Sequence, residues 1–256
     1  MKAIVCNAFG PVENLEYKEV ADPKAGKGQV VVDIKACGVN FPDGLIVQGL
    51  YQMKPEVPFI PGNEVAGVII ELGEGVKHLK VGQRVIALCM LGGYAEKVAC
   101  AATHVMPIPD EISFDEAAGL VTAHATAHHG LKQRANIQPG ETLLVTGAAG
   151  GTGLAAVQIG KQMGATVIAV CSTQEKLDMA KANGADILIN YSEVDLKTAI
   201  KEVTNGKGVD VVYECVGGDA FNACSRSMAW NGRLLVVGFA GGTIPSTWRS
   251  SDIIMQ

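Results

Sequence analysis

The chain has no Cys-x-x-Cys pair, no run of lysine and arginine, no acidic tail and no long apolar stretch. Each absence removes a class of protein. The seven cysteines, Cys6, Cys37, Cys89, Cys100, Cys171, Cys215 and Cys224, are odd in number and scattered. That spacing suits neither a disulfide framework nor a zinc finger, and it reads as small buried hydrophobes in a reducing compartment. A membrane-spanning helix needs about 18 consecutive apolar residues, and no stretch reaches that length. A net charge of -5 without a basic patch gives nucleic acid nothing to hold. No internal repeat or low-complexity segment is found. Residues 1–5 run directly into strand-like sequence, so no signal peptide is expected. A cytoplasmic location is expected, and a mitochondrial one stays open because a transit peptide can be removed.

What is present is 256 residues, 48% of them apolar and 18% charged, enough for one large domain or two modest ones. Two grammars divide the chain. Residues 1–101 hold short Val/Ile runs at 29–34, 65–72, 84–88 and 95–98, separated by Gly and Pro, which predicts a β-rich barrel or sandwich. Ser113-Phe114-Asp115-Glu116 is a capping-box pattern that predicts a helix start, with a break near Gly130. Beyond Pro139-Gly140 strands alternate with helices. Strands are expected at 142–146, 166–171, 186–190, 209–216 and 233–237. Helices are expected at 153–163, 174–182, 195–204 and 220–230. Apolar strands alternating with helices make a parallel sheet covered on both faces, so the fold class is α/β and doubly wound.

Residues 145–160 read VTGAAGGTGLAAVQIG, with Gly147, Gly150, Gly151 and Gly153 between an expected strand and an expected helix. A helix N-terminus carries roughly half a positive charge and suits a phosphate. Gly150 and Gly153 fit the later glycines of G-x-G-x-x-G, while Ala148 takes the first place. Packing alone could explain Gly153. Together with the alternating strands, the cluster predicts a dinucleotide site. An NAD site wants an acid at the tip of the second strand. Here the tip is Val170-Cys171-Ser172-Thr173. A carboxylate about 4 Å from a 2′-phosphate would cost roughly 4 kcal/mol at an effective dielectric near 20. Its absence, with Lys176 following and Ser172 and Thr173 able to donate, favours NADPH over NADH. Glu175 beside Lys176 works against the charge argument.

The stretches ACGVNFPDGLIVQGLYQ and PFIPGNEVAGVIIELGEGVKHLKVGQRVIAL, set at their spacing from TGAAGGTG, resemble the medium-chain dehydrogenase/reductase superfamily, and its zinc-free quinone oxidoreductase branch in particular. The resemblance runs from residue 1 to about residue 244. It implies a GroES-like β domain over 1–120 followed by a Rossmann domain over 121–256, with the active site in the cleft between them. It also implies cofactor contacts: Asn40 near the nicotinamide ribose, Thr126 toward the nicotinamide end, and Gly150, Gly151, Thr152 and Gly153 at the pyrophosphate. Ser172, Lys176 and Tyr191 resemble the 2′-phosphate set of NADPH-dependent members, and Gly238 and Phe239 the loop over the nicotinamide.

Zinc-dependent relatives carry cysteine where this chain has Asn40, and Gly-His-Glu where it has Gly62-Asn63-Glu64. Asparagine is a poor zinc ligand, so no metal is expected. His124 and His128 share a helix face, but Ala125 stands where a HExxH glutamate would be, and polar groups at an interface are the plainer expectation. Without a Lewis acid, the expected acceptor is a small quinone or an α,β-unsaturated carbonyl. Asn40 is then expected to orient the acceptor or the ribose, with Tyr51 either an oxyanion donor or a packing residue. Glu64 is expected to be a buried carboxylate bonded to backbone amides or an arginine. After Gly241-Gly242-Thr243-Ile244-Pro245 the chain departs from its relatives as STWRSSDIIMQ. The Rossmann sheet is therefore expected to lack its last strand and to leave 233–237 as an edge, which puts the usual homodimer in doubt. Two functions stay open on this basis: an NADPH-dependent oxidoreductase, and a catalytically weak NADPH-binding or interaction protein.

Overall fold

A computed structural model describes residues 1–241 and divides the chain into two compact units, Met1–Thr122 and Ala123–Gln256. In the first unit, β1 (Lys2–Val5) pairs antiparallel with β2 (Glu16–Glu19). A five-stranded antiparallel sheet is formed by β3 (Gln29–Cys37), β4 (Glu64–Leu72), β5 (Arg84–Leu88), β6 (Lys97–Ala101) and β7 (Val105–Pro107), in the order β6-β3-β4-β5-β7. Val30, Val32, Val65, Ile69, Val85 and Val98 close on one core, the i, i+2 spacing a half-buried sheet requires. Gly67 marks the tightest approach of β3 and β4. A Cβ there would lie 2.1 Å from the Asp33 carbonyl oxygen. Two short helices complete the unit. The first, α1 (Phe41–Val47), starts at Asn40 with Pro42 in its first turn. The second, α2 (Phe114–Ala118), is capped as the sequence predicts: Glu116 N–H donates to Ser113 Oγ at 3.2 Å, and Ser113 N–H donates to Glu116 Oε2 at 2.9 Å.

A winding run follows. It is π-helical over Val121–Ala125, α-helical over α3 (Thr126–His128) and π-helical again over His129–Arg134. The break expected near Gly130 does not occur. The missing side chain there makes room for Tyr213 instead, since a Cβ at 130 would sit 3.3 Å from that ring.

The second unit is a parallel sheet of β8 (Thr142–Thr146), β9 (Thr166–Cys171), β10 (Ile187–Asn190), β11 (Val209–Glu214) and β12 (Met228–Val236), ordered β10-β9-β8-β11-β12. Its crossover helices are α4 (Gly151–Gln162), α5 (Gln174–Ala182), α6 (Leu196–Val203) and α7 (Gly218–Ser225). Leu143, Val145, Val167 and Ala169 pack with α4 and α5, while Leu144, Ile168 and Val170 pack with α6 and α7. Two separate cores on opposite faces of the same strands are what double winding means. The α/β expectation, a β domain followed by a Rossmann-type parallel sheet, is borne out.

One element differs in kind. Residues 220–230 were expected to be helical throughout, yet α7 ends at Ser225 and Met228–Trp230 begin β12. Ala and Met are good helix formers, so the helical expectation followed local propensity, and pairing with β11 overrides it. Val209 pairs with Met228 and Val211 with Arg233, so the residues between form a bulge. Asn231 enters it at φ 61°, a conformation asparagine tolerates. Among the described residues β12 is the last strand of the sheet, and the expectations about the chain after Gly241 lie outside them.

Arg233 fastens β12 to the entrance of β8. Its Nη1 and Nη2 donate to the two carboxylate oxygens of Glu141 at 2.8 and 2.6 Å, and its Nε donates to the Ala135 carbonyl at 2.9 Å. The guanidinium holds the Glu141 carboxyl below the ordinary glutamate range. Arg233→Ala should lower unfolding stability by about 2 kcal/mol at neutral pH, read from denaturant melts. Because the folded-state pKa is depressed, the difference from wild type should persist at neutral pH and close only as acid protonates Glu141.

Candidate functional site

At the carboxyl end of β8 the chain turns sharply into α4. Gly147 sits at φ 61°, and Gly150 N–H donates back to its carbonyl at 2.9 Å. Gly153 is buried on that carbonyl, and a Cβ there would lie 2.2 Å from the oxygen. Only glycine lets the helix start so close to the strand. The start itself is bare. Its cap residue is Gly150, which offers no side-chain bond, and the first turn of α4 holds no acid. By contrast α5 is capped by Thr173 and α6 by Asp195, and α7 carries Asp219 in its first turn. A side chain at Gly151 would meet nothing within 4 Å. With no cap side chain and no acid in the first turn, the partial positive charge at the start of α4 is not compensated by the helix's own residues, which fits a phosphate.

Beside this turn, β9 and β10 end level, with Asn190 paired to Cys171. Tyr191 N–H donates to the Cys171 carbonyl at 3.1 Å, and Ser192 Oγ donates to the Ser172 carbonyl at 3.0 Å. Lys176 Nζ lies 3.4 Å from Ser172 Oγ. Ser172, Lys176 and Tyr191 thus gather at one sheet edge, with Lys176 and Tyr191 exposed. Thr173 is occupied as the cap of α5. Of the acids in the neighbouring sequence, Glu193 is engaged by Asn190 Nδ2 at 2.9 Å.

On the other side of β8, Glu214 ends β11 fully buried. It accepts from Thr146 Oγ1 at 3.0 Å and from Val216 and Gly217 N–H at 2.9 Å. The segment after β12 continues this alignment. Val237 N–H donates to the Glu214 carbonyl at 2.8 Å and Ala240 N–H to the Cys215 carbonyl at 3.0 Å, which sets Gly238 and Phe239 in a short loop at the same sheet end. Thr126 is exposed on α3. His124 Nε2 pairs with Gln158 Oε1 at 3.1 Å, while His128 is exposed.

In the first unit, half-buried Asn40 is the hub of a polar cluster. Its amide Nδ2 donates to Glu64 Oε1 at 2.9 Å and to Asn63 Oδ1 at 3.2 Å. Its backbone N–H donates to Asp43 Oδ2 at 2.8 Å, and Tyr94 Oη donates to the same oxygen at 2.9 Å. Glu64, 1% exposed, accepts the Thr122 N–H on its other oxygen at 2.7 Å. The expectation of a buried carboxylate on a backbone amide is met there, with an asparagine rather than an arginine as second partner. Asp43 is also buried, which pushes its carboxyl up, partly offset by the bonds from Asn40 and Tyr94. Burial, reinforced by Asp43 and Glu64, pushes the Cys37 thiol up to about 12, which disfavours the thiolate at neutral pH. Tyr51 is half-buried against the cluster of Cys6, Ile46, Val47 and Phe59. Asn40 and Asn63 meet each other amide to amide, and among the described residues no group of three His, Cys, Asp or Glu side chains could hold a metal ion.

Sequence reasoning missed Asp43 and Tyr94. Asp43 was legible: asparagine followed three residues later by aspartate, with a proline between, is a helix-start pattern. Tyr94 reaches Asp43 across a separation of 51 residues and left no local signal.

Residues 26–110 match the family described as alcohol dehydrogenase GroES-like domain, and residues 151–256 the family described as zinc-binding dehydrogenase. The chain is 42% identical to quinone oxidoreductase-like protein 2 of Rattus norvegicus, over 96% of this chain and 70% of the relative. It is equally identical to a quinone oxidoreductase-like protein 2 homolog of Nematostella vectensis, over 95% of this chain and 67% of the relative. Among solved structures, Escherichia coli quinone oxidoreductase complexed with NADPH superposes with a TM-score of 0.92 at 35% identity, covering 95% of this chain and 75% of that one. The Pseudomonas syringae quinone oxidoreductase gives 0.94 at 36% identity, over 98% and 77%. With both halves matched in order and the whole span shared with such relatives, the chain belongs to the medium-chain dehydrogenase/reductase superfamily, among its quinone oxidoreductase-like proteins.

Proposed function

We propose that this NADPH-dependent oxidoreductase reduces a quinone or an α,β-unsaturated carbonyl and does so without zinc. The observation that carries the cofactor assignment is the pairing of a bare, acid-free helix start at α4 with Ser172, Lys176 and Tyr191 at the adjacent strand tips. The first-turn N–H groups at Gly151, Thr152 and Gly153 would hold the pyrophosphate, with Gly150 as cap. Lys176 would neutralise the 2′-phosphate, and Ser172 and Tyr191 would donate hydrogen bonds to it. Bound there, NADPH supplies a hydride, which is two electrons and one proton, to an acceptor whose second proton comes from a protein donor or solvent. Thr126, Gly238 and Phe239 are assigned to the nicotinamide end.

Independence from zinc is supported by the first unit. The amides of Asn40 and Asn63 stand where zinc-dependent relatives place thiolate and imidazole, and they are spent on each other and on Glu64. Quinones and enones accept hydride at a carbon already activated by conjugation, so they need no metal to polarise them. Asn40 is assigned to orient the acceptor or the ribose, and the Tyr51 hydroxyl to receive the developing oxyanion.

Purified chain should oxidise NADPH with members of a quinone panel or an enone panel, followed at the reduced-nicotinamide absorbance, with added zinc or chelator changing nothing. Turnover of neither panel would overturn the redox assignment, and loss of activity on chelation would overturn the zinc-free one. Lys176→Ala should weaken NADPH binding by about tenfold, the worth of one partly exposed charge–phosphate contact, and leave NADH binding unchanged.

A further inference from the structure

Asn40 has two amide hydrogens, and both are spent. One goes to Glu64 Oε1 at 2.9 Å and the other to Asn63 Oδ1 at 3.2 Å. The only capacity the amide has left for a ligand is an acceptor lone pair on Oδ1. What decides this is Glu64. An asparagine amide can turn over in place, exchanging its oxygen and nitrogen, unless a neighbour accepts only or donates only. A glutamate carboxylate accepts only. Glu64 cannot turn aside either, because its second oxygen receives the backbone N–H of Thr122 at 2.7 Å, and a backbone N–H cannot be reversed. Burial strengthens the constraint: at 1% exposure the side chain has no water to substitute for a lost partner.

We propose that Glu64 is a positioning residue that fixes the polarity of Asn40, so that Asn40 meets the ligand as a hydrogen-bond acceptor, toward a hydroxyl group, and never as an amide donor. Resting on the assignment of Asn40 to the ligand made above, this narrows its role. Asn40 accepts a hydrogen bond from a hydroxyl, of a ribose or of the hydroxyl form of the acceptor, and stabilisation of an oxyanion falls to another group. Asn63 is the weaker partner, because its own amide can turn over to suit either orientation.

Near-isosteric substitutions separate this from a purely structural role. In Glu64→Gln, the Gln oxygen must face the fixed Thr122 N–H, which leaves its NH2 pointing at the Asn40 NH2. Asn40 then turns over and presents a donor to the ligand. Asn40→Asp alone sets two carboxylates face to face. The double variant Asn40→Asp with Glu64→Gln restores a donor–acceptor pair and again leaves an acceptor oxygen toward the ligand.

NADPH-dependent reduction of 1,4-benzoquinone should fall about tenfold in kcat/KM in each single variant and recover largely in the double one. Thermal melts should show both Glu64→Gln and the double variant folded. A double variant no better than the worse single one, or a Glu64→Gln as active as wild type, would overturn the inference. Asn40→Ala separates the two levels. If it leaves turnover and NADPH affinity unchanged, the ligand assignment of Asn40 fails and the inference falls with it. If it lowers them while Glu64→Gln does not, the inference alone is overturned. A readout independent of turnover is proton exchange of the Asn40 side-chain NH2 in the 15N spectrum of the full chain, assigned by its loss in Asn40→Ala. Slow exchange of both protons in wild type and fast exchange of one in Glu64→Gln are expected, and fast exchange in wild type would overturn the inference.

Discussion

The second unit depends on how closely α4 can begin against the end of β8. A helix start is a phosphate site only if its N–H groups reach the sheet end unobstructed, and here the obstruction would be any side chain at position 153, whose Cβ would lie 2.2 Å from the Gly147 oxygen. The positive φ of Gly147 turns that carbonyl under the helix. Buried Glu214 then ties the ends of β8 and β11 together through Thr146 and the Val216 and Gly217 N–H groups. The turn is therefore supported from below by a satisfied buried carboxylate. The other crossover helices carry a cap or an acid where α4 carries neither, so the bare start is specific to this position.

The first unit is organised around a different constraint, two buried carboxylates within one polar cluster. Each is costly unless its oxygens receive hydrogen bonds. Glu64 is satisfied by a backbone N–H and an asparagine amide, Asp43 by a backbone N–H and a tyrosine hydroxyl. Both sets of bonds converge on Asn40, one through its side chain and one through its backbone. Asn40, the cap residue of α1, is thereby held through both its backbone and its side chain although it is only half-buried.

Legibility in the sequence followed the range of the interactions. Strands β5, β8 and β9 and helix α5 could be read residue for residue, because continuous apolar runs bounded by glycine or a cap leave little alternative. The Ser113–Glu116 cap was readable for the same reason. Helix α1 was overlooked because Pro42 and Gly44 argue against a helix unless the Asn40–Asp43 pattern is weighed with them. The start of β12 was misread as helix because its pairing with Val209 is non-local and its bulge turns on a single asparagine at positive φ. In the site, the glycine turn and the acid-free strand tip were visible locally. The Tyr94–Asp43 bond and the Thr122–Glu64 bond join residues dozens of positions apart, and nothing in the local sequence announces them.

On the function proposed here, the bare start of α4 and the Ser172–Lys176–Tyr191 tip together hold NADPH. Isothermal calorimetry of the full chain against NADPH and NADH under the same conditions tests it most directly. Saturable binding of NADPH at least about tenfold tighter than NADH is expected, the preference shrinking with salt as a charge–phosphate contact requires. Equal affinity for the two nucleotides, a preference for NADH, or no binding of either would contradict it.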